Sequence, residues 1–454
     1  MNNEPVSAIP DHRPRATLAA ACLGMLTLGV NGTAIMAALP TMRHALGLSA
    51  GELEWAINAY LIVSAACIIP GGKLCDRIGP RRICLIGLVL FAVASVVVAT
   101  AHGPTALLAG RALQGLAAAL SVPATLAAIN EASQPERRAS AIGAWAGFLM
   151  LGFSLGPLIG GALTHFIGWR VIFWASGAVM LVAAGGFAGA SVTSGKPRGE
   201  PFDWPGFVLL ALFMAALLSV LQALPTLTSA PAHALGFAAL AVVACIAFVK
   251  LEISVADPLI DLALLRRSAF VRAVALGAIA MGSILSLLLY YNLDAQSPAG
   301  LGLTPVGAGL SLLPLSGGLL VFALAAPSLV RRFGARRALS SGTLLITLGS
   351  LAIAGGVASQ SWTTLLAGLF AIGTGLALPY ATAPRLALAL LTPEAAGSGS
   401  GLINACTFLA GSIGVSAGAI MFAVAGLSGV MGLIAVMGLL GAALCRALPG
   451  AVSR

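Results

Sequence analysis

Few side chains in this sequence can do chemistry. Arg111 and Gln114 stand three residues apart in the apolar run Arg111-Ala112-Leu113-Gln114-Gly115. On a helix that spacing turns both to one face. A guanidinium inside a membrane-length segment is costly, so it faces a cavity or a partner. Arg111 is therefore a candidate for substrate contact or proton coupling; the alternative is a structural Arg capped by carbonyls or snorkelling outward. Moving protons needs a carboxylate that loads and releases near neutral pH. Of the 14 acidic residues, Asp294, just after Tyr290-Tyr291-Asn292, is the first candidate and Glu131 the second, with an interfacial charge as the alternative for both. The seven Cys form no C-x-x-C pair, and zinc-ligand spacing, a Walker lysine loop and a nucleophile elbow are absent from the sequence. The residues therefore point to no metal, no cofactor and no enzymatic reaction.

The elements that must position these residues follow from composition. Charged residues are 8% of the 454 and hydrophobic ones 59%, against about 25% charged in a soluble chain. That excludes a soluble enzyme, a nucleic-acid binder or a disordered protein as the reading of the whole chain. A spanning helix needs about 20 mostly apolar residues. Fourteen segments qualify: 17–39, 54–72, 83–102, 106–127, 139–164, 171–191, 204–224, 233–250, 270–292, 305–329, 338–358, 362–388, 398–424 and 428–447. An even number puts both termini on one side. With that side cytoplasmic, 21 basic residues fall inside and two, Arg43 and Arg170, outside; the positive-inside rule thus fixes the orientation. The net charge of +10 is then a topology signal and not a nucleic-acid footprint. Trp169, Trp204 and Trp362, at span ends, read as interfacial anchors.

An internal repeat organises the spans. Asp76-Arg77-Ile78-Gly79-Pro80-Arg81-Arg82 and Arg331-Arg332-Phe333-Gly334-Ala335-Arg336-Arg337 share x-Arg-x-Gly-x-Arg-Arg; Pro135-Glu136 is echoed by Pro393-Glu394 at nearly the same offset. This predicts an all-α integral membrane protein with 14 transmembrane helices: two pseudo-symmetric six-helix halves, residues 1–192 and 253–454, around a two-helix insert at 193–252. Repeated halves enclosing a midplane site are the architecture of secondary transporters.

Several segments resemble the major facilitator superfamily, in its fourteen-span drug/proton antiporter branch, over nearly the whole chain. Gly72-Lys73-Leu74-Cys75-Asp76-Arg77-Ile78-Gly79-Pro80-Arg81-Arg82 is similar to that family's loop between spans 2 and 3, and Arg111–Gly115 to its span-4 motif. Gly152-Phe153-Ser154-Leu155-Gly156-Pro157-Leu158-Ile159-Gly160-Gly161 resembles the span-5 motif of its exporters. Gly168-Trp169-Arg170 with Phe173-Trp174, and Asp257-Pro258-Leu259-Ile260-Asp261 with Leu264-Leu265-Arg266, resemble further family segments. One position departs: where members usually carry a span-1 Asp, this chain has Asn31, which cannot titrate.

The resemblance implies an alternating-access exporter of small lipophilic compounds with proton antiport, acting as a monomer in the bacterial inner membrane with lipid and small molecules as its partners. Export of one specific metabolite, uncoupled facilitation and a non-transporting membrane sensor remain alternatives. Asp76, near the expected start of span 13 at Gly397–Ser400, reads as a latch on that helix's positive dipole end, with Arg77, Gly79, Arg81, Arg82 and Arg138 around it; the alternative is a solvated basic loop that only sets topology. Gly152, Gly156 and Gly160 share a helix face that permits backbone contact and Pro157 bends it; the resemblance implies a seal between the halves, with ordinary small-residue packing as the alternative. Asn31, Thr33, Asn58, Tyr60, Gln114, Trp145, Tyr291, Asn292, Tyr380 and Asn404 are the candidate cavity residues, each with a helix–helix hydrogen bond as the alternative.

Overall fold

The computed structural model describes residues 13–188, 203–223, 231–255, 258–392 and 396–448. Asp257 and Pro393-Glu394 lie outside the described residues, as does the expected 192/193 boundary. The helices are α1 (Arg13–Leu46), α2 (Ala50–Ile78), α3 (Pro80–Ala99), α4 (Pro104–Ala132), α5 (Pro135–Phe166), α6 (Arg170–Ala188), α7 (Trp204–Ala223), α8 (Pro231–Ser254), α9 (Ser268–Ala295), α10 (Pro305–Ser311), α11 (Leu313–Phe333), α12 (Ala335–Ala358), α13 (Trp362–Ala389) and α14 (Ala396–Arg446). In lipid every backbone polar group must be satisfied internally, so apolar runs of this length become helices. Local chemistry sets their ends. The Ser49 hydroxyl accepts from the Glu52 N–H, and the Glu52 carboxylate accepts from the Ser49 N–H, which starts α2 with a capping box. Pro80, Pro104 and Pro135 open α3, α4 and α5, where a missing N–H costs nothing.

Thirteen of these helices are long and apolar enough to cross a membrane. The fourteenth span comes from α14, which bends at Ala425 (φ −142°, ψ 23°) and Gly426 (φ 58°, ψ −150°) and so has two arms matching the expected 398–424 and 428–447. The tenth span differs from the expectation of one continuous helix at 305–329. It breaks at Leu312, whose N–H bonds the Gly309 carbonyl at 3.3 Å in a tight turn, and α11 restarts with Pro314 near its N-terminus. Pro314 has no N–H to donate back into α10, so an unbroken helix loses a rung there.

The two halves repeat one packing scheme. Helix α1 packs on α4, α5 and α6, as α9 packs on α13 and on α14. The α2–α4, α3–α4 and α3–α6 pairs are matched by α11–α13, α12–α13 and α12–α14. The closest approaches match too: Gly29 meets Gly152 between α1 and α5, and Gly282 meets Gly414 between α9 and the first arm of α14. Both copies of x-Arg-x-Gly-x-Arg-Arg sit at the same kind of corner. Gly79 (φ 100°) joins α2 to α3 and Gly334 (φ 84°) joins α11 to α12, a backbone region costly for any residue with a Cβ. The insert helices α7 and α8 pack on each other, and α7 lies against α2 and α14. Helix α8 runs to Ser254, so the expected 252/253 boundary falls in its last turn. Trp169 is not an interfacial anchor: it is 3% exposed, packed edge-on to Phe173 and covered by the Arg170 guanidinium, whereas Trp204 and Trp362 are exposed.

Candidate functional site

Arg111 lies in α4, only 1% exposed. Its Nε donates to the Ala56 carbonyl of α2 at 2.8 Å. Its Nη1 donates to Asn31 Oδ1 of α1 at 3.0 Å and to Gln114 Oε1 at 2.7 Å. Its Cζ lies 4.6 Å from the centre of the Tyr60 ring, a cation–π distance. Hydrogen bonds from a charged donor contribute about 1.5–3 kcal/mol each, so these contacts offset part of the cost of burying the charge. The amides are themselves fixed. Asn31 Nδ2 donates to Ser176 Oγ at 3.2 Å and Gln114 Nε2 to Ser95 Oγ at 2.9 Å. Those hydroxyls donate to the Ile172 and Phe91 carbonyls, 2.7 Å each. Four helices of the first half thus meet α4 at Arg111, and every partner is neutral. Asn31 stands against the guanidinium where a span-1 carboxylate would pair with it.

Arg111 also lines a cavity between the halves. The first half contributes Leu28, Gly32, Met36, Ile57, Tyr60, Leu61, Val122, Leu149 and Phe153; the second contributes Met281, Leu285, Tyr380, Asn404, Thr407 and Phe408. The wall is apolar and aromatic, and Arg111 is its charged residue. Phe153 and Tyr380 meet edge to face across the halves, ring centres 6.3 Å apart, as do Tyr60 and Phe408 at 6.4 Å.

Of the candidate cavity residues, Tyr60, Tyr380 and Asn404 line this space. The others do not, because short polar side chains in lipid-facing bundles satisfy one another across helix contacts. Asn31 and Gln114 stand behind Arg111. Thr33 donates to the Gly29 and Phe153 carbonyls. Asn58 donates to Ser416 Oγ at 2.9 Å and accepts from Ser412 Oγ at 2.6 Å, tying α2 to α14. The Trp145 indole donates to Thr125 Oγ1. The Tyr291 and Ser311 hydroxyls share a hydrogen bond of 2.7 Å, and Asn292 donates to the Leu288 carbonyl. Phe153, Phe408, Thr407 and Met281 were not foreseen as wall residues. Phe153 sits inside the Gly152–Gly161 motif, which was the one signal for it.

The glycine face of α5 corrects another expectation. Gly152, Gly156 and Gly160 abut Gly29, Thr33 and Ala34 of α1, within the same half. The contact between the halves comes from the adjacent face, where Pro157 meets Gly309 and Gly161 meets Pro305 of α10. Ser316 Oγ adds a bond to the Ser154 carbonyl at 2.6 Å, and Gln296 Nε2 one to the Ala37 carbonyl at 2.9 Å. The motif therefore joins three helices: its glycines bind α5 to α1, and Pro157 with Gly161 meets the second half.

At the other end of α2, Lys73 Nζ donates to the Pro258 carbonyl across the halves at 2.9 Å. Gly401, early in α14, sits against Ile69 of α2, so α14 begins beside the turn that carries Asp76. Asp76, Arg82 and Arg138 are exposed and Arg77 is half-buried. Arg81 donates to the Ala188 carbonyl at the end of α6. Gly79 supplies the corner. Of the acids, Asp294 is half-buried near the end of α9, with Oδ2 buried and unbonded. Glu131 is exposed.

Comparison with known proteins agrees with this architecture. A family model described as the Major Facilitator Superfamily matches residues 21–313. A tetracenomycin C resistance and export protein of Streptomyces glaucescens is 30% identical over 90% of this chain and 76% of its own length. A multidrug resistance protein of Mycobacterium tuberculosis is 30% identical over 88% of this chain and 74% of its own. A methyl viologen resistance protein of Salmonella typhimurium is 30% identical over 74% of this chain and 68% of its own. With its fourteen spans, its repeated halves and the cavity between them, this multi-pass membrane protein is a transporter and not an enzyme, and the chain belongs to the major facilitator superfamily.

Proposed function

We propose that the protein is a secondary active exporter of small lipophilic compounds that works by alternating access and is driven by proton influx. The observation that carries this reading is the apolar, aromatic cavity between the halves, with walls from both and one buried cation. The relatives named for antibiotic and multidrug resistance or export support the direction and the substrate class. The basic residues of the sequence support a bacterial inner-membrane placement with both termini cytoplasmic. In this reading residues 1–192 and 253–454 rock against each other, carrying 193–252 with them, as a monomer. The Asp76 turn, with Arg77, Gly79, Arg81, Arg82 and Arg138, latches α2 to the start of α14 when the cytoplasmic side is closed. Asp294 is the proton carrier of first choice.

A second reading, facilitated movement without a proton, is favoured by one observation: Asn31 contacts Arg111 where a titrating carboxylate would otherwise sit. The experiment that separates the two uses inside-out vesicles carrying the protein and a set of fluorescent lipophilic dyes, cationic, neutral and anionic. An imposed pH gradient, acid inside, drives dye accumulation above the rate in vesicles lacking the protein if antiport holds. Protein-dependent flux that ignores the gradient supports facilitation. No protein-dependent flux contradicts both readings.

A further inference from the structure

We infer that the central cavity selects compounds that carry an anionic group, a carboxylate or phenolate on a lipophilic aromatic body, and holds that group against the free edge of Arg111. This builds on the exporter reading by naming its substrate class.

The guanidinium has five N–H donors. Nε is taken by the Ala56 carbonyl, and both hydrogens of Nη1 by Asn31 and Gln114. Nη2 and its two N–H groups have no protein acceptor among the described residues. Arg111 forms part of the cavity wall although its side chain is 1% exposed. A buried side chain on the cavity wall thus keeps a pair of donors that no described protein acceptor takes.

The charge is also uncompensated. The groups that touch it are a carbonyl, two carboxamides and the face of Tyr60, none of which is an anion. The amides cannot swing away, because Ser176 and Ser95 hold their other ends. The cation is therefore rigid and preorganised, so binding spends little on ordering it. In a water-poor site a charge of this kind attracts an anion more strongly than it would in solvent, and a carboxylate matches the planar fork. Phe153, Tyr380 and Phe408 supply faces for an aromatic body. A span-1 Asp at position 31 would neutralise the site; Asn31 leaves it positive.

The test is equilibrium binding to the purified full-length protein in nanodiscs, with pyrenebutyrate and its methyl ester as probes, followed by pyrene fluorescence at pH 7.5. The expected result is acid binding at least about tenfold tighter than ester binding, the scale of one charge-assisted contact. Asn31→Asp, which places a carboxylate on Nη1, brings the two probes to within about twofold while ester affinity stays unchanged, showing that the fold and the apolar walls persist. Arg111→Gln also removes the preference for the acid. Equal affinity for acid and ester in the wild type, no binding of the acid, or an Asn31→Asp protein that keeps the preference would each overturn the inference. Flux is scored separately in vesicles. A preserved acid preference without transport sinks the exporter reading and leaves the anion site standing; transport without the preference does the reverse.

Discussion

Gly160 and Gly161 are neighbours in the chain that touch different bodies, so one methyl group at each has different consequences. A Cβ on Gly160 would come within 2.6 Å of Ala34 Cα and 2.8 Å of its carbonyl carbon, in the packing of α5 on α1. A Cβ on Gly161 would meet Pro305, its carbonyl carbon at 3.1 Å and its oxygen closer, in the contact between halves. Backbone atoms cannot rotate out of the way, and overpacking of this kind costs about 1–3 kcal/mol. In Gly160→Ala the strain stays inside one half whichever way the transporter faces, and shows as lost stability. In Gly161→Ala the strain exists only while α5 touches α10, so it shifts the conformational equilibrium by about 5- to 150-fold toward separation at that end. Thermal unfolding in detergent reads the first effect. Electron-spin distance measurement between labels at His165→Cys and Ala299→Cys, both exposed positions near that contact, reads the second. Gly143→Ala, with no atom within 4 Å of the added Cβ, is the control and changes neither. Equal loss of melting temperature for both variants with unchanged label distances would refute the assignment of the two faces.

Other consequences follow from the same contacts. Gly79→Ala and Gly334→Ala each force a side chain into positive φ and lower stability by about 1–2 kcal/mol, to a similar extent, because they occupy equivalent corners of the two halves; thermal unfolding measures both. Asn58→Leu removes the bonds to Ser412 and Ser416 that tie α2 to α14. At about 0.6 kcal/mol per bond in a membrane bundle, it costs about 1 kcal/mol, plus the unsatisfied serines, in the same assay. Asp294→Asn lowers pH-driven dye efflux at least about tenfold, while Glu131→Gln, at an exposed carboxylate, stays within about twofold; vesicle flux with an imposed gradient decides, and intact efflux in Asp294→Asn removes that residue from the proton path.

The spans and their repeat were legible because lipid imposes one solution on a long apolar run, and because x-Arg-x-Gly-x-Arg-Arg marks the same corner twice. The break at Leu312 was legible in principle, since Pro314 announces a missing donor; it was hidden by the apolar residues on both sides. Which face of α5 meets which neighbour was not. The glycine spacing says that a backbone comes close, and only the assembled bundle says that it is α1 for Gly160 and α10 for Gly161. The site was readable where a side chain is too costly to hide, as with Arg111. It was not readable where a polar group is cheap: Thr33, Asn58 and Asn292 satisfy themselves on neighbouring backbone or hydroxyls. Phe153 and Phe408 gave the opposite difficulty, since an aromatic residue in an apolar span looks alike whether it faces lipid, core or cavity.

Alternating access requires that the space between the halves open to each side of the membrane in turn. Thr407 lines that space from α14. With Thr407→Cys as the only cysteine, labelling by a membrane-impermeant maleimide can be compared in right-side-out and inside-out vesicles, with and without a transported compound. Alternating access predicts labelling from both sides and protection by the compound in each case. Labelling from one side alone under every condition, or labelling that the compound never slows, would contradict it.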